Sequence, residues 1–397
     1  MSVRPSPAGA IPGTVVALGF VSLFMDVSSE MIHSLLPVFL VSGLGASALS
    51  VGIIEGIAEA TASITKVFSG VVSDWVGRRK PLLLLGYGMA ALTKPVFPLA
   101  DSLGTVLLAR FLDRIGKGVR GAPRDALVAE VTPVELRGAA FGLRQSMDTV
   151  GAFAGPALAL LLMLLSGGDV RLVFWVAVIP AMVAVAVIVV GVREPDADPS
   201  AERRRFPIRR SELRLLDGHY WGVVAFASAL TLARFSEAFL LLRAQNLGME
   251  DAYAPLVLIV MNVVYAASAY PLGRLADRLD RRALLAVGVG LLVLADLVLV
   301  AAGSVWAVLV GAAVWGLHMG ATQGLLAVFV ADAAPKHLRG TAFGLYNLVT
   351  GVALLAASAL AGGLWTVAGP AATFLAGAGF AALSLAGLLA LAPLAKG

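Results

Sequence analysis

Two charged islands in an otherwise apolar chain occur twice. Gly70 to Leu82 reads GVVSDWVGRRKPL and Gly273 to Leu284 reads GRLADRLDRRAL; Pro133 to Leu143 reads PVELRGAAFGL and Pro335 to Leu345 reads PKHLRGTAFGL. Asp74 therefore falls on Asp277 and Pro133 on Pro335. A chain that repeats half of itself, each island flanked by long apolar runs, is confined to two equivalent helical bundles in a membrane with the islands as surface loops. Composition excludes the soluble alternative. Of 397 residues, 59% are hydrophobic and only 14% charged, and the mean hydropathy is +0.90. That leaves too little polar surface for a water-soluble fold.

The chain has no Cys, which excludes disulfides and thiolate metal sites, and its four His are scattered, so no metal or cofactor is expected. The formal charge of +5 matters less than where Lys and Arg sit, and nothing points to a nucleic-acid partner. The opening MSVRPSPAGAIPG lacks the charged start, short apolar core and small-residue site of a cleaved leader, so the first apolar run is expected to stay as a helix.

Spans of about 20 apolar residues recur twelve times. They cover 14–41, 49–71, 82–101, 104–129, 139–165, 172–192, 219–242, 254–276, 283–302, 304–330, 341–366 and 370–392. The expected organisation is an N-terminal six-helix bundle (1–191), a basic linker (192–218) and a C-terminal six-helix bundle (219–397). The linker, REPDADPSAERRRFPIRRSELRLLDG at its heart, is too charged to cross a bilayer. Arg78, Arg79, Lys80, Arg137, Arg281, Arg282, Lys336, Arg339, Lys396 and the linker arginines all fall on one side, whereas Gly43 to Ser47 and Ala302 to Ser304 on the other side carry no charge. By the positive-inside rule both termini and the linker are cytoplasmic.

With these residues, the chain resembles the major facilitator superfamily, twelve-helix secondary transporters of two pseudosymmetric six-helix bundles. The most specific match is Gly70, Asp74, Gly77, Arg78, Arg79 and Lys80, which is similar to the family's loop between the second and third helices. Gly273, Asp277, Arg281 and Arg282 form a degenerate copy in the matching loop of the second half, where Gly77 becomes Asp280 and Lys80 becomes Ala283. The resemblance implies a cytoplasmic latch; an ordinary capped turn would use the same residues. Gly151, Gly155 and Pro156 resemble the antiporter motif of the family's drug and proton exchangers. The match is incomplete, because the sequence continues Ala157-Leu158-Ala159, and a small-residue packing face accounts for it equally.

Charges inside spans are costly and need partners or a watery cavity. The first span carries Asp26, Glu30 and His33 on one helical face, and the second carries Glu55 and Glu59, stacked where two carboxylates compete for a proton, with Lys66 further along. In the fourth, Arg110, Asp113, Arg114, Lys117, Arg120 and Arg124 fall within about 120° of arc and about 21 Å of helix, so this face must look into protein or an aqueous cavity. In the resembled family the first and fourth helices line the cavity, so Asp26, Glu30 and Asp113 are expected to meet this basic ladder. Arg144 and Asp148 are spaced to pair along the fifth span, and Arg234 and Glu237 along the seventh. Asn262, Tyr265, Asp296, His318, Gln323, Tyr346 and Asn347 complete a poorer second half.

The expected function is a proton-coupled antiporter that exports a small organic solute by alternating access. Asp26, Glu30, Glu55, Glu59 and Asp113 are the proton-coupling candidates. His33, Arg110, Arg114, Lys117, Arg144, Asp148, Arg234, Glu237, Asn262, Gln323 and Tyr346 are the cavity candidates. Two alternatives stand beside it: proton-coupled uptake of an anionic metabolite on the basic ladder, and a non-transporting sensor of the same fold. An enzyme is not expected, since no nucleophile, base and orienter are grouped. The partners expected are a small solute, protons and the lipid of a prokaryotic plasma (inner) membrane, with the chain acting as a monomer.

Overall fold

A computed structural model of the chain describes residues 11–76, 78–194, 216–276, 280–335 and 338–390. The centre of the linker, Gly77, Asp277, Lys336 and Lys396 lie outside the described residues, as do the side chains of Asp74 and Arg339. The described chain is helical throughout and contains no strand. Its long helices are α1 (Gly13–His33), α2 (Ala48–Val76), α3 (Lys80–Thr93), α4 (Leu103–Val131), α5 (Arg137–Ser166) and α6 (Val170–Gly191), then α7 (Gly218–Ala233), α8 (Pro255–Ala276), α9 (Arg281–Ala301), α10 (Val305–Ala333), α11 (Arg339–Ala368) and α12 (Pro370–Ala390).

The duplication read from sequence is a duplication of packing. In the first half α1 lies against α5 and α6, α2 against α4, and α3 against α4 and α6. In the second half α7 lies against α11 and α12, α8 against α10, and α9 against α10 and α12. The halves meet through α2 with α11 and through α5 with α8, two contacts that the same exchange interconverts. Even the caps repeat: Ser102 Oγ accepts from Thr105 N at the start of α4, and Ser304 Oγ accepts from Ala307 N at the start of α10.

Among the described residues, eleven helical segments are long and apolar enough to cross a membrane. The segment that falls short is α4, which has ample length, 29 residues, but too many charges. Its amphipathicity explains how it spans. Arg110, Asp113, Arg114 and Arg120 are each 5% exposed or less, held against α2 and α3, while Leu108 and Phe111 face outward. The prediction that the charged face looks into protein holds for these four.

The seventh span differs from its expected form. It stops at Ala233 and restarts as a second segment, Ala238–Asn246, with Arg234 to Glu237 unwound between them. Arg234 and Glu237 therefore do not share a helical face, and no ion pair joins them. The break is stabilised from α11, where Ser358 Oγ accepts from Ser236 N at 3.2 Å. Two first-half spans are also composite. The chain after α1 continues through Leu36–Val38 and a π turn, Phe39–Gly43, and α3 is followed by Lys94, Pro95 and a short turn, Val96–Leu99.

On the side poor in Lys and Arg the halves are tied together. Gln245 Nε2 donates to Ser42 Oγ at 2.6 Å, and Leu36–Val38 lies against Ala238–Asn246. Lys66 and Lys117, on the basic side, are exposed.

Candidate functional site

Between the halves lies a cavity of about 470 Å³. Glu30, His33, Glu55, Glu59, Arg114 and Lys117 reach it from α1, α2 and α4. From the second half come Arg234 and Glu237 at the break of the seventh span, Asn262 on α8, Trp315 on α10, and Tyr346 and Asn347 on α11. A helix that unwinds beside a cavity presents backbone and side chains together, an arrangement tolerated in a bilayer only where the segment is buried or wet.

Behind the first-half wall is a chain of buried ion pairs. Arg110 Nη2 donates to Glu55 Oε2 at 2.8 Å and lies 2.7 Å from His33 Nδ1; both members of the Arg110–Glu55 pair are 2% exposed or less. Arg114 Nη1 stands 3.4 Å from Glu59 Oε1. Asp113 meets the arginine ladder at Arg114 Nε, 3.9 Å away, but is bound more closely by Lys94, whose Nζ donates to Asp113 Oδ1 at 2.9 Å and to Ser29 Oγ at 3.1 Å. Lys94 was missing from the sequence-derived candidates although its signal was present: a lone Lys inside an apolar span, placed before Pro95, must have a buried acid as partner. Arg120 instead lies over the Tyr87 ring, 4.4 Å from its centre.

The expected competition of Glu55 with Glu59 for a proton does not arise in this arrangement, because each carboxylate has its own guanidinium. The unpaired acids are others. Among the described residues, the side chains of Asp26, Glu30 and Glu237 accept no hydrogen bond and enter no ion pair. Asp26 and Glu30 are held against α5 by the two small residues of the motif at Gly151: a Cβ at Gly151 would sit 2.9 Å from Asp26 Cβ, and one at Gly155 2.6 Å from Glu30 Cβ. The glycines are what allow α5 to close on the acidic face of α1.

The sequence match to known proteins covers this whole arrangement. The Major Facilitator Superfamily model matches residues 18–250 and again 223–396. The chain belongs to the Major Facilitator Superfamily. An uncharacterised MFS-type transporter of Methanocaldococcus jannaschii is 32% identical over 386 residues, 95% of this chain and 94% of that one. Multidrug resistance protein MdtH of Proteus mirabilis is 28% identical over 162 residues, 41% of this chain and 37% of that protein. A crystal structure of a mutant nucleoside transporter NupG superposes with a TM-score of 0.82 at 12% identity, over 96% of this chain and all of that one, a likeness of fold. The chain is thus a multi-span membrane transporter of the superfamily.

In this superfamily member the remaining candidates separate into two groups. Arg144 and Asp148 pair as expected, at 3.0 Å, but belong to a cytoplasmic cluster in which Arg144 also approaches Asp125 at 3.5 Å and Arg124 donates to Ser22 Oγ at 2.8 Å; neither lines the cavity. Gln323 is likewise outside the cavity wall and accepts from Tyr265 OH at 3.0 Å. Asp296 is fully buried and neither carboxylate oxygen has a partner; His318, also buried, bonds Gly288 O through Nδ1. No group of three His, Cys, Asp or Glu among the described residues could hold a metal.

At the cytoplasmic loops the two copies are related in a register different from the sequence alignment. Arg79 Nε donates to Glu130 at 2.7 Å, and Arg281, not Arg282, makes the corresponding contact with Asp332 at 3.2 Å. Lys80 Nζ donates to Val189 O and Val192 O at the end of α6, and Arg282 donates to Leu388 O near the end of α12. The second copy is one residue shorter, so Arg282 rather than Ala283 occupies the place of Lys80. The Glu194 carboxylate adds a cap on the N-terminus of α3, accepting from the backbone N–H groups of Arg79 and Lys80. Gly70 lies beside Ala122, and Arg78 is exposed.

Proposed function

We propose that the chain is a proton-coupled exporter of a small organic solute, working as a monomer in a prokaryotic plasma membrane. The observation that carries the reading is the selective pairing of the acids. Glu55, Glu59 and Asp113 are neutralised by Arg110, Arg114 and Lys94, which leaves Asp26 and Glu30 on α1 as first-half carboxylates in no ion pair, Glu30 in the cavity wall and Asp26 outside it. An acid that faces a cavity without a fixed cation is the one free to gain and lose a proton as access alternates. Two of the paired cations also reach the helix of these acids, Lys94 through Ser29 Oγ and Arg110 through His33 Nδ1.

Export is favoured by the Gly151, Gly155 and Pro156 motif, which sets α5 directly on Asp26 and Glu30, and by the partial likeness to a multidrug resistance protein. Glu30→Gln and Asp26→Asn are tested in vesicles for solute movement driven by a pH gradient and, separately, for exchange at equal pH. Loss of gradient-driven movement with exchange retained supports the reading. Unchanged gradient-driven movement in both variants removes these acids from coupling.

A further inference from the structure

The charges that line the cavity do not cancel one another in place. Glu55 is consumed by Arg110 and Glu59 by Arg114, which leaves Glu30 and Glu237 as carboxylates and Lys117 and Arg234 as cations, none of them in an ion pair. Two charges of each sign, held in one space of about 470 Å³ within a membrane, are expensive unless something binds them. Glu237 stands within electrostatic range of Glu30 and Glu59 across the gap between the halves as well as of Arg234 and Lys117, and Arg234 stands within range of Tyr265 and Tyr346 in its own half as well as of Glu237. The unwound backbone between Ala233 and Ala238 takes the two residues off a common helical face.

A purely cationic ligand would satisfy the two carboxylates and leave the Arg234 donors empty; a purely anionic one would do the reverse. Arg234 has five N–H donors and no side-chain partner, and two carboxylates that line one cavity, neither of them in an ion pair, form a place for an ammonium group. Glu55 adds a buried acceptor on the same wall: it is 0% exposed, and Oε1 has no hydrogen-bond partner. Phe235, at the middle of the break, and Trp315 supply apolar surface between the two ends.

We propose that the solute is a zwitterion of amino-acid to short-peptide size, its ammonium held between Glu30 and Glu237 and its carboxylate or other oxyanion on Arg234. The inference rests on the transport reading above. Three residues of chain reach at most about 10 Å, which sets the scale of separation between the two ends. Because the ammonium and the proton share Glu30, loading the solute releases the proton, and the exchange follows from competition for one carboxylate.

The test uses purified protein in proteoliposomes and measures proton release on addition of straight-chain ω-amino carboxylates of increasing length, with the matched alkyl amines and alkyl carboxylates. An ω-amino carboxylate is expected to trigger release at a concentration lower by about tenfold or more than either single-charge analogue, the loss of one charge-assisted bond. Arg234→Gln should make amine and amino carboxylate equivalent, and Glu237→Gln should do so for the carboxylate pair, a change in selectivity that mere misfolding does not produce. Equal release by amines lacking a carboxylate, or an Arg234→Gln variant that weakens amine and amino carboxylate by the same factor, overturns the zwitterion and leaves transport standing. No release by any compound of the three classes overturns it as well. The transport reading fails only if, in addition, no solute moves in the exchange assay above.

Discussion

The Lys94–Asp113 pair offers the most quantitative check on the buried network. Lys94 Nζ is 2.9 Å from Asp113 Oδ1 with both side chains 4% exposed or less, and Arg114 Nε stands 3.9 Å from the other carboxylate oxygen. At an effective dielectric of about 20, those separations correspond to about 6 and about 4 kcal/mol of attraction before desolvation is subtracted. The two singles are therefore unequal. Lys94→Met leaves Asp113 with Arg114 still nearby and should cost about 3 kcal/mol, the low end for breaking a buried pair. Asp113→Asn leaves two cations and only Ser29 as a neighbour for Lys94, and should cost about 4–5 kcal/mol. Lys94→Met with Asp113→Leu removes both charges and should cost about 1 kcal/mol or less, since buried pairs roughly break even against apolar replacements. Equilibrium unfolding in mixed micelles measures all three. Single costs that add in the double variant would show that the two side chains do not act as a pair and would refute the reasoning.

Two further predictions concern helix contacts. Gly155→Ala places a methyl group against Glu30 Cβ and 2.8 Å from Val27 O, so α5 must move off α1; the expected cost is about 1–3 kcal/mol in the same unfolding assay, with gradient-driven transport reduced. Arg282→Ala should destabilise the second half by about 1–2 kcal/mol through the lost bonds to Leu388 O, and Arg282→Lys should restore most of it, whereas adding Ala283→Lys to Arg282→Ala should not; rescue by Ala283→Lys would return the repeat to the register of the sequence alignment.

Much of this architecture was legible before any coordinates. The repeated islands gave the two halves, and the charged arc of α4 required a partner-lined environment, because five cations on one face cannot meet lipid. What the sequence did not carry was which charge meets which. Helical spacing places Glu55 beside Glu59 and Asp113 beside Arg114, but the shortest contacts run between helices: Glu55 to Arg110, Asp113 to Lys94. Pairing across helices depends on rotation and depth, which periodicity within one helix leaves open. The break at Arg234 to Glu237 was hidden for a related reason. No Gly or Pro marks it, and the hydroxyl that caps it, Ser358, lies on α11. The loop register was missed because two adjacent arginines align equally well with Arg78–Arg79 or with Arg79–Lys80, and only their partners, Asp332 and Leu388, distinguish the two.

The central claim is that Asp26 and Glu30, the α1 acids in no ion pair, couple protons to solute movement. The most direct measurement follows pH inside proteoliposomes on addition of a transported solute, for the natural chain and for the Asp26→Asn, Glu30→Gln double variant. Proton movement opposite to the solute in the natural chain, and solute movement without protons in the variant, is the predicted result. Equal proton movement in both would contradict the account, and would assign the coupling to other acids, Glu237 of the cavity wall first among them.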